Sequence, residues 1–122
     1  MTILALVRHG LTSWNENKLV QGRSDIPLSE KGRKQVRNWH VPVKLKDFLI
    51  VSSPLIRAKE TAKILFGESI TTDDRLVEMD WSKWEGKSLK DLRAELGNLM
   101  EAWEAEGLDF RAPGGESPRE VQ

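Results

Sequence analysis

Cysteine is absent from the 122 residues. That excludes a disulfide framework and a thiolate metal site. Long apolar runs are absent as well. The run at the N-terminus, Ile3-Leu4-Ala5-Leu6-Val7, follows no basic stretch. It is too short for a signal peptide or a membrane span. Neither sign of charge is in excess, with 19 Lys and Arg against 19 Asp and Glu. That balance gives no reason to expect nucleic acid or a membrane surface as a partner. These absences leave a soluble, cytoplasmic protein of one domain. Histidine is scarce, with only His9 and His40.

Ile3–Val7 reads as a strand buried on both faces, as in a parallel sheet under helices. A long polar stretch from Arg8 to about Leu28 follows, of a length that is usually functional or disordered. Ser29 is a candidate N-cap for a helix that carries Val36 and Trp39 on one face and stops before Pro42. Phe48–Val51 is a second buried-strand pattern. Ser53-Pro54 opens a helix through Arg57, Thr61 and Ile64, with Gly67 at its end. A short strand is expected near Ile70–Thr72. Leu76–Gly86 looks irregular. Ser88–Asp91 outlines a capping box for helical sequence reaching about Glu106, interrupted at Gly97. The alternation of strands and helices is the α/β pattern. Ser117-Pro118-Arg119-Glu120 is a further helix start, with a cap, a first-turn proline and a glutamate three residues on. Only two residues follow it, too few for a stable helix.

The chemistry gathers at strand ends, where α/β sheets bind their ligands. Arg8 and His9 follow the first predicted strand. Arg57 lies in the first turn of the helix after the second. If those strands are neighbours, two guanidiniums and a helix N-terminus converge on an anion site. A neutral imidazole within it is a candidate nucleophile on phosphorus. Gly10 allows close backbone approach. Each residue alone has an ordinary structural reading. A histidine at a strand end is commonly a hydrogen-bonded structural residue, and Arg57 could be solvated. Glu78 is one of 19 acidic residues. Asn15 and Gln21-Gly22 suit turns, and His40 suits a helix C-terminus. The tryptophans read as core or half-buried anchors.

Taken together, the segments resemble the histidine phosphatase superfamily, the phosphoglycerate mutase-like proteins. The matching blocks are Leu6-Val7-Arg8-His9-Gly10, Trp14-Asn15, and Gln21-Gly22 with Asp25 and Pro27-Leu28. Gly32 and Ser52-Ser53-Pro54-Leu55 with Arg57-Ala58 and Thr61-Ala62 come next. Glu78 with Trp84-Glu85-Gly86 and Pro113-Gly114-Gly115-Glu116-Ser117 complete the series. They fall in the family's order across nearly the whole chain.

The resemblance implies an α/β, three-layer αβα fold with a mostly parallel central sheet, incomplete here at the C-terminus. It implies that His9 becomes phosphohistidine and that Arg8 and Arg57 hold the phosphoryl oxygens. Glu78 would protonate the leaving oxygen. Asn15 would help line the pocket, with Gln21 and Gly22 on the substrate side. No metal or other cofactor is implied, because the arginines supply the positive charge. The partner implied is a small phosphate ester, and homodimer formation is left open. Two departures stand out. Trp81-Ser82 replaces the family's frequent Phe-Gly. A second essential histidine, in a Ser/Thr-His-Gly segment, has no counterpart in the chain.

The expectation is therefore the N-terminal portion of a metal-independent phosphomonoesterase acting on a small phosphorylated metabolite. Phosphoglycerate mutase is the alternative, although only 26 residues separate Gly86 from Pro113, fewer than mutases usually carry. A non-catalytic phosphate- or phosphoprotein-binding module is a third reading, should the natural chain end at residue 122.

Overall fold

A computed structural model describes residues 1–122. The first regular elements are α1 (Ser13–Glu16) and α2 (Glu30–Arg37). A β-α-β unit follows, made of β1 (Val51–Ser52), α3 (Ile56–Phe66) and β2 (Thr71–Thr72). The remaining helices are α4 (Leu89–Leu96), α5 (Asn98–Glu104) and α6 (Pro118–Val121). Short 3-10 turns occupy Val43–Leu45, Asp74–Leu76, Ser82–Trp84 and Gly107–Asp109. The fold is α/β with a parallel sheet. β1 and β2 pair in parallel, Val51 opposite Thr71 and Ser52 opposite Thr72, as a crossover through a helix requires.

The helix starts obey local chemistry. Ser29 Oγ accepts from the Gly32 N–H at 3.0 Å, and Ser88 Oγ from the Asp91 N–H at 3.0 Å. Ser117 and Glu120 form a reciprocal capping box. Gly97 separates α4 from α5 with a φ of 53°, a region that only glycine enters without strain. α3 departs from this pattern. Its N-cap is Leu55, which has no side-chain oxygen to offer. Asp25, 31 residues upstream, instead accepts from the Ile56 N–H at 2.7 Å.

Two sequence expectations fail. Ile3–Val7 pairs with no strand, and Ile3, Leu4, Leu6 and Val7 are 51–87 % exposed. Phe48–Val51 yields strand only at Val51, with Leu49 largely exposed. The reason is common to both. An apolar run is suited to a sheet interior, but a ladder forms only where a second backbone lies alongside to exchange N–H···O=C bonds. Trp39 also differs from expectation. It falls beyond the end of α2 and is exposed, while Val36 is fully buried.

The main core lies in the second half. Trp84, Leu92, Met100 and Ala112 are buried together, with Trp81, Trp103 and Phe110 packed on them. The Trp84 ring lies 5.5 Å from Phe110 and 5.6 Å from Trp103, centroid to centroid. These are attractive tilted contacts. In the first half, α2 packs on α3, with Arg33 paired to Glu60 at 3.2 Å. Gly32 lets α2 meet the loop after His9. A Cβ there would lie 2.0 Å from the Leu11 carbonyl oxygen. The Arg8–Leu28 stretch is tied down by bridges at Thr12–Leu28 and Leu19–Ser88.

Candidate active site

A cavity of about 530 Å³ lies between the N-terminal segment and the β1–α3 unit. Most of its wall is apolar. Its polar lining includes Arg8, His9, Ser52, Arg57 and Glu78. The structure therefore brings four of the seven candidate residues to one cavity. Asn15, Gln21 and Gly22 are not in its lining.

His9 is oriented by its own neighbour. Its Nδ1–H donates to the Gly10 carbonyl at 2.6 Å, which leaves the lone pair on Nε2. Burial is the largest influence on the imidazole and lowers its pKa. The Arg57 and Arg8 guanidiniums lower it further, while the Gly10 hydrogen bond and the Glu78 carboxylate act the other way. The net result is a ring that resists protonation. A nucleophilic nitrogen requires that form.

Gly10 is fixed in turn. Its N–H donates to Thr61 Oγ1 at 3.0 Å, and that hydroxyl donates to the Arg57 carbonyl at 2.8 Å. A Cβ on Gly10 would meet Val36 Cγ2 at 2.5 Å, so only glycine fits against α2.

Arg57 is 2 % exposed. One terminal nitrogen donates to the Gly22 carbonyl at 2.7 Å and the other to the Ser24 carbonyl at 3.0 Å. Burial lowers its pKa, and the carboxylates of Glu78, Asp25 and Glu85 oppose that shift. The guanidinium has five N–H donors, so two carbonyls fix its plane and leave others for an anion. The helix end beneath it is less open than the sequence suggests, because Asp25 occupies the Ile56 N–H. Arg8 is exposed, and so is Glu78, whose carboxylate accepts from the Met79 N–H at 3.0 Å.

The other three candidates stand around this centre. Asn15 Oδ1 accepts from the Thr12 N–H at 3.0 Å, and Gln21 Oε1 accepts from the Thr12 hydroxyl at 2.6 Å. Gly22 supports Arg57 through its carbonyl. Thr61 and Glu85 are positioning residues that sequence reasoning missed. Glu85 is partly buried, which pushes its pKa up. Hydrogen bonds from Ser24, the N–H among them at 2.7 Å, outweigh this and bring the value below normal. It thereby anchors the loop that holds Arg57. Thr61 was detectable in principle, since it lies one helical turn after Arg57 on the same face. No three His, Asp or Glu side chains are gathered so as to hold a metal ion. No helix is long and apolar enough to cross a membrane.

Residues 4–122 match the sequence profile of one family, described as the histidine phosphatase superfamily (branch 1). The chain belongs to that superfamily. A relative from Salmonella paratyphi C, a probable phosphoglycerate mutase GpmB, is 39 % identical over 95 % of this chain and 56 % of its own length. A mycobacterial glucosyl-3-phosphoglycerate phosphatase solved with VO3 superposes with a TM-score of 0.74. It is 34 % identical over 93 % of this chain and 58 % of its own. TTHB049 from Thermus thermophilus superposes at 0.72, with 30 % identity over 94 % of this chain and 64 % of its own. The chain spans about half the length of the curated relatives it matches. Histidine phosphatases are thus its relatives in both sequence and fold.

Proposed function

We propose that this histidine phosphatase-like chain is the part of a phosphomonoesterase that carries the nucleophile. The supporting observation is the fixed His9 imidazole, with Nδ1–H on Gly10, in the same cavity as Arg8, Arg57 and Glu78. The substrate is a small phosphorylated metabolite. Nε2 attacks phosphorus, a P–N bond forms, and the ester P–O bond breaks. The electron pair of that bond stays on the leaving oxygen, which takes a proton from the Glu78 carboxyl. Water then attacks phosphorus while Glu78 takes a proton from it. The P–N bond breaks, its electron pair returns to Nε2, and inorganic phosphate leaves. Arg8 and Arg57 neutralise charge on the three equatorial oxygens. Thr12 holds the side-chain carbonyls of Asn15 and Gln21 beside this centre, outside the cavity lining.

The direct test is acid-labile labelling of His9 by a phosphoryl donor. His9→Ala should remove the label and the turnover together. Full activity in His9→Ala would refute the role.

A second reading, phosphoglycerate mutase, is favoured by the 39 % identity to a probable enzyme of that kind. It predicts return of the phosphoryl group to a glycerate hydroxyl instead of to water. Phosphate binding without any transfer would leave the third reading, a non-catalytic module.

A further inference from the structure

We propose that Arg23 and Glu116 form a clamp that positions Glu78 for proton donation. The inference rests on the acid role given to Glu78 above. Val77–Asp80 contains no helix or strand, so no ladder fixes its backbone. Side chains and loops do so instead. Arg23 Nε donates to the Glu78 carbonyl at 3.3 Å, and a terminal nitrogen of the same guanidinium donates to Glu116 Oε1 at 2.8 Å. Glu116 Oε2 accepts from the Asp80 N–H at 2.9 Å. The Glu116 N–H donates to the Asp80 carbonyl at 2.8 Å. One ion pair thus grips the acid-bearing segment at both ends.

Two glycines make this approach possible. A Cβ on Gly115 would lie 2.4 Å from the Asp80 carbonyl oxygen, and one on Gly22 would lie 2.8 Å from that of Met79. Gly22 also accepts from Arg57. The segment carrying the acid is therefore built on the same support as the phosphate-binding guanidinium.

Magnitude separates this role from a purely stabilising one. The Arg23 and Glu116 side chains are 45 % and 30 % exposed. Ion pairs this open to water are screened and add little to stability. A misplacement of about 1 Å in a reacting group can cost about 100-fold in rate. Neither residue lines the cavity, so both act through Glu78.

The test compares two phosphate esters in the full chain. p-Nitrophenyl phosphate loses a stable phenolate that leaves without a proton. An alkyl phosphate loses an alkoxide that needs one. Arg23→Gln and Glu116→Gln should lower kcat/KM on the alkyl ester by roughly 10–100-fold. They should change kcat/KM on the aryl ester by less than about 3-fold, since general-acid help is not needed there. The ratio of the two rates is independent of the folded fraction. Arg23→Lys keeps the charge but not both contacts, and should fall between. Equal losses on both esters, no loss on either, or failure of both glutamine variants to fold would overturn the clamp. Glu78→Gln should show the same selectivity. If it alone is selective, the acid role stands and the clamp falls. If Glu78→Gln affects both esters equally, the acid role falls and the clamp with it. Absence of transfer from either ester by the unaltered chain overturns both.

Discussion

The Thr61 hydroxyl accepts the Gly10 N–H at 3.0 Å across 51 positions of sequence. Through its second bond, to the Arg57 carbonyl, it links the His9 loop to the helix that bears the buried arginine. All three groups are out of water, so the Gly10 donor has no substitute partner. Thr61→Val keeps the shape and removes the hydroxyl. It should destabilise the chain by about 1–3 kcal/mol, the usual cost of an orphaned buried donor. It should slow phosphohistidine formation on aryl and alkyl esters alike. Thr61→Ser should recover most of both. Chemical denaturation and single-turnover labelling check the two halves.

Arg57→Lys should be severely impaired although the charge is kept. A lysine cannot serve the Gly22 and Ser24 carbonyls and an anion together in the planar geometry of a guanidinium. Affinity for vanadate or inorganic phosphate, measured by calorimetry, should fall at least about 10-fold, equivalent to about 1.4 kcal/mol. Unchanged affinity would mean that Arg57 holds the loop and not the anion.

His9 has a folded pKa below the ordinary imidazole value of about 6.5. The unfolded chain therefore takes up its proton first as pH falls. The contribution of His9 to stability is complete above about pH 6.5. It is lost as pH drops from there through the folded pKa. NMR titration of the His9 ring should give the lowered midpoint, and Arg57→Gln should move it upward. A midpoint at or above 6.5 in the unaltered chain would contradict the burial seen here.

Gly32→Ala should be more damaging than Gly10→Ala. The added methyl at residue 32 meets the Leu11 carbonyl at 2.0 Å, which is backbone and cannot rotate away. At residue 10 it meets the end of the Val36 side chain at 2.5 Å. Overpacking of this kind costs roughly 1–3 kcal/mol, with residue 32 at or beyond the upper end. Thermal melts of the two variants test the order.

Much of the local structure was legible in the sequence. The caps at Ser29, Ser88 and Ser117, the break at Gly97 and the end of α3 at Gly67 depend on neighbours within four positions. Side chain and backbone N–H meet there without help from the rest of the fold. The ordered blocks from Leu6 to Ser117 likewise carried the family. The pattern of residues also singled out Arg8, His9 and Arg57, and the family resemblance added Glu78. Their arrangement round one cavity, however, is a property of the packed chain.

What only the tertiary structure decided concerns partners distant in sequence. Asp25, not a local residue, caps α3. Thr61, not a strand neighbour, secures Gly10. The apolar run Ile3–Val7 has the composition of a buried strand, yet it pairs with nothing and stays exposed. Composition sets how favourably a segment would be buried. Pairing depends on whether a second backbone arrives at hydrogen-bonding distance, and no local pattern of residues encodes that.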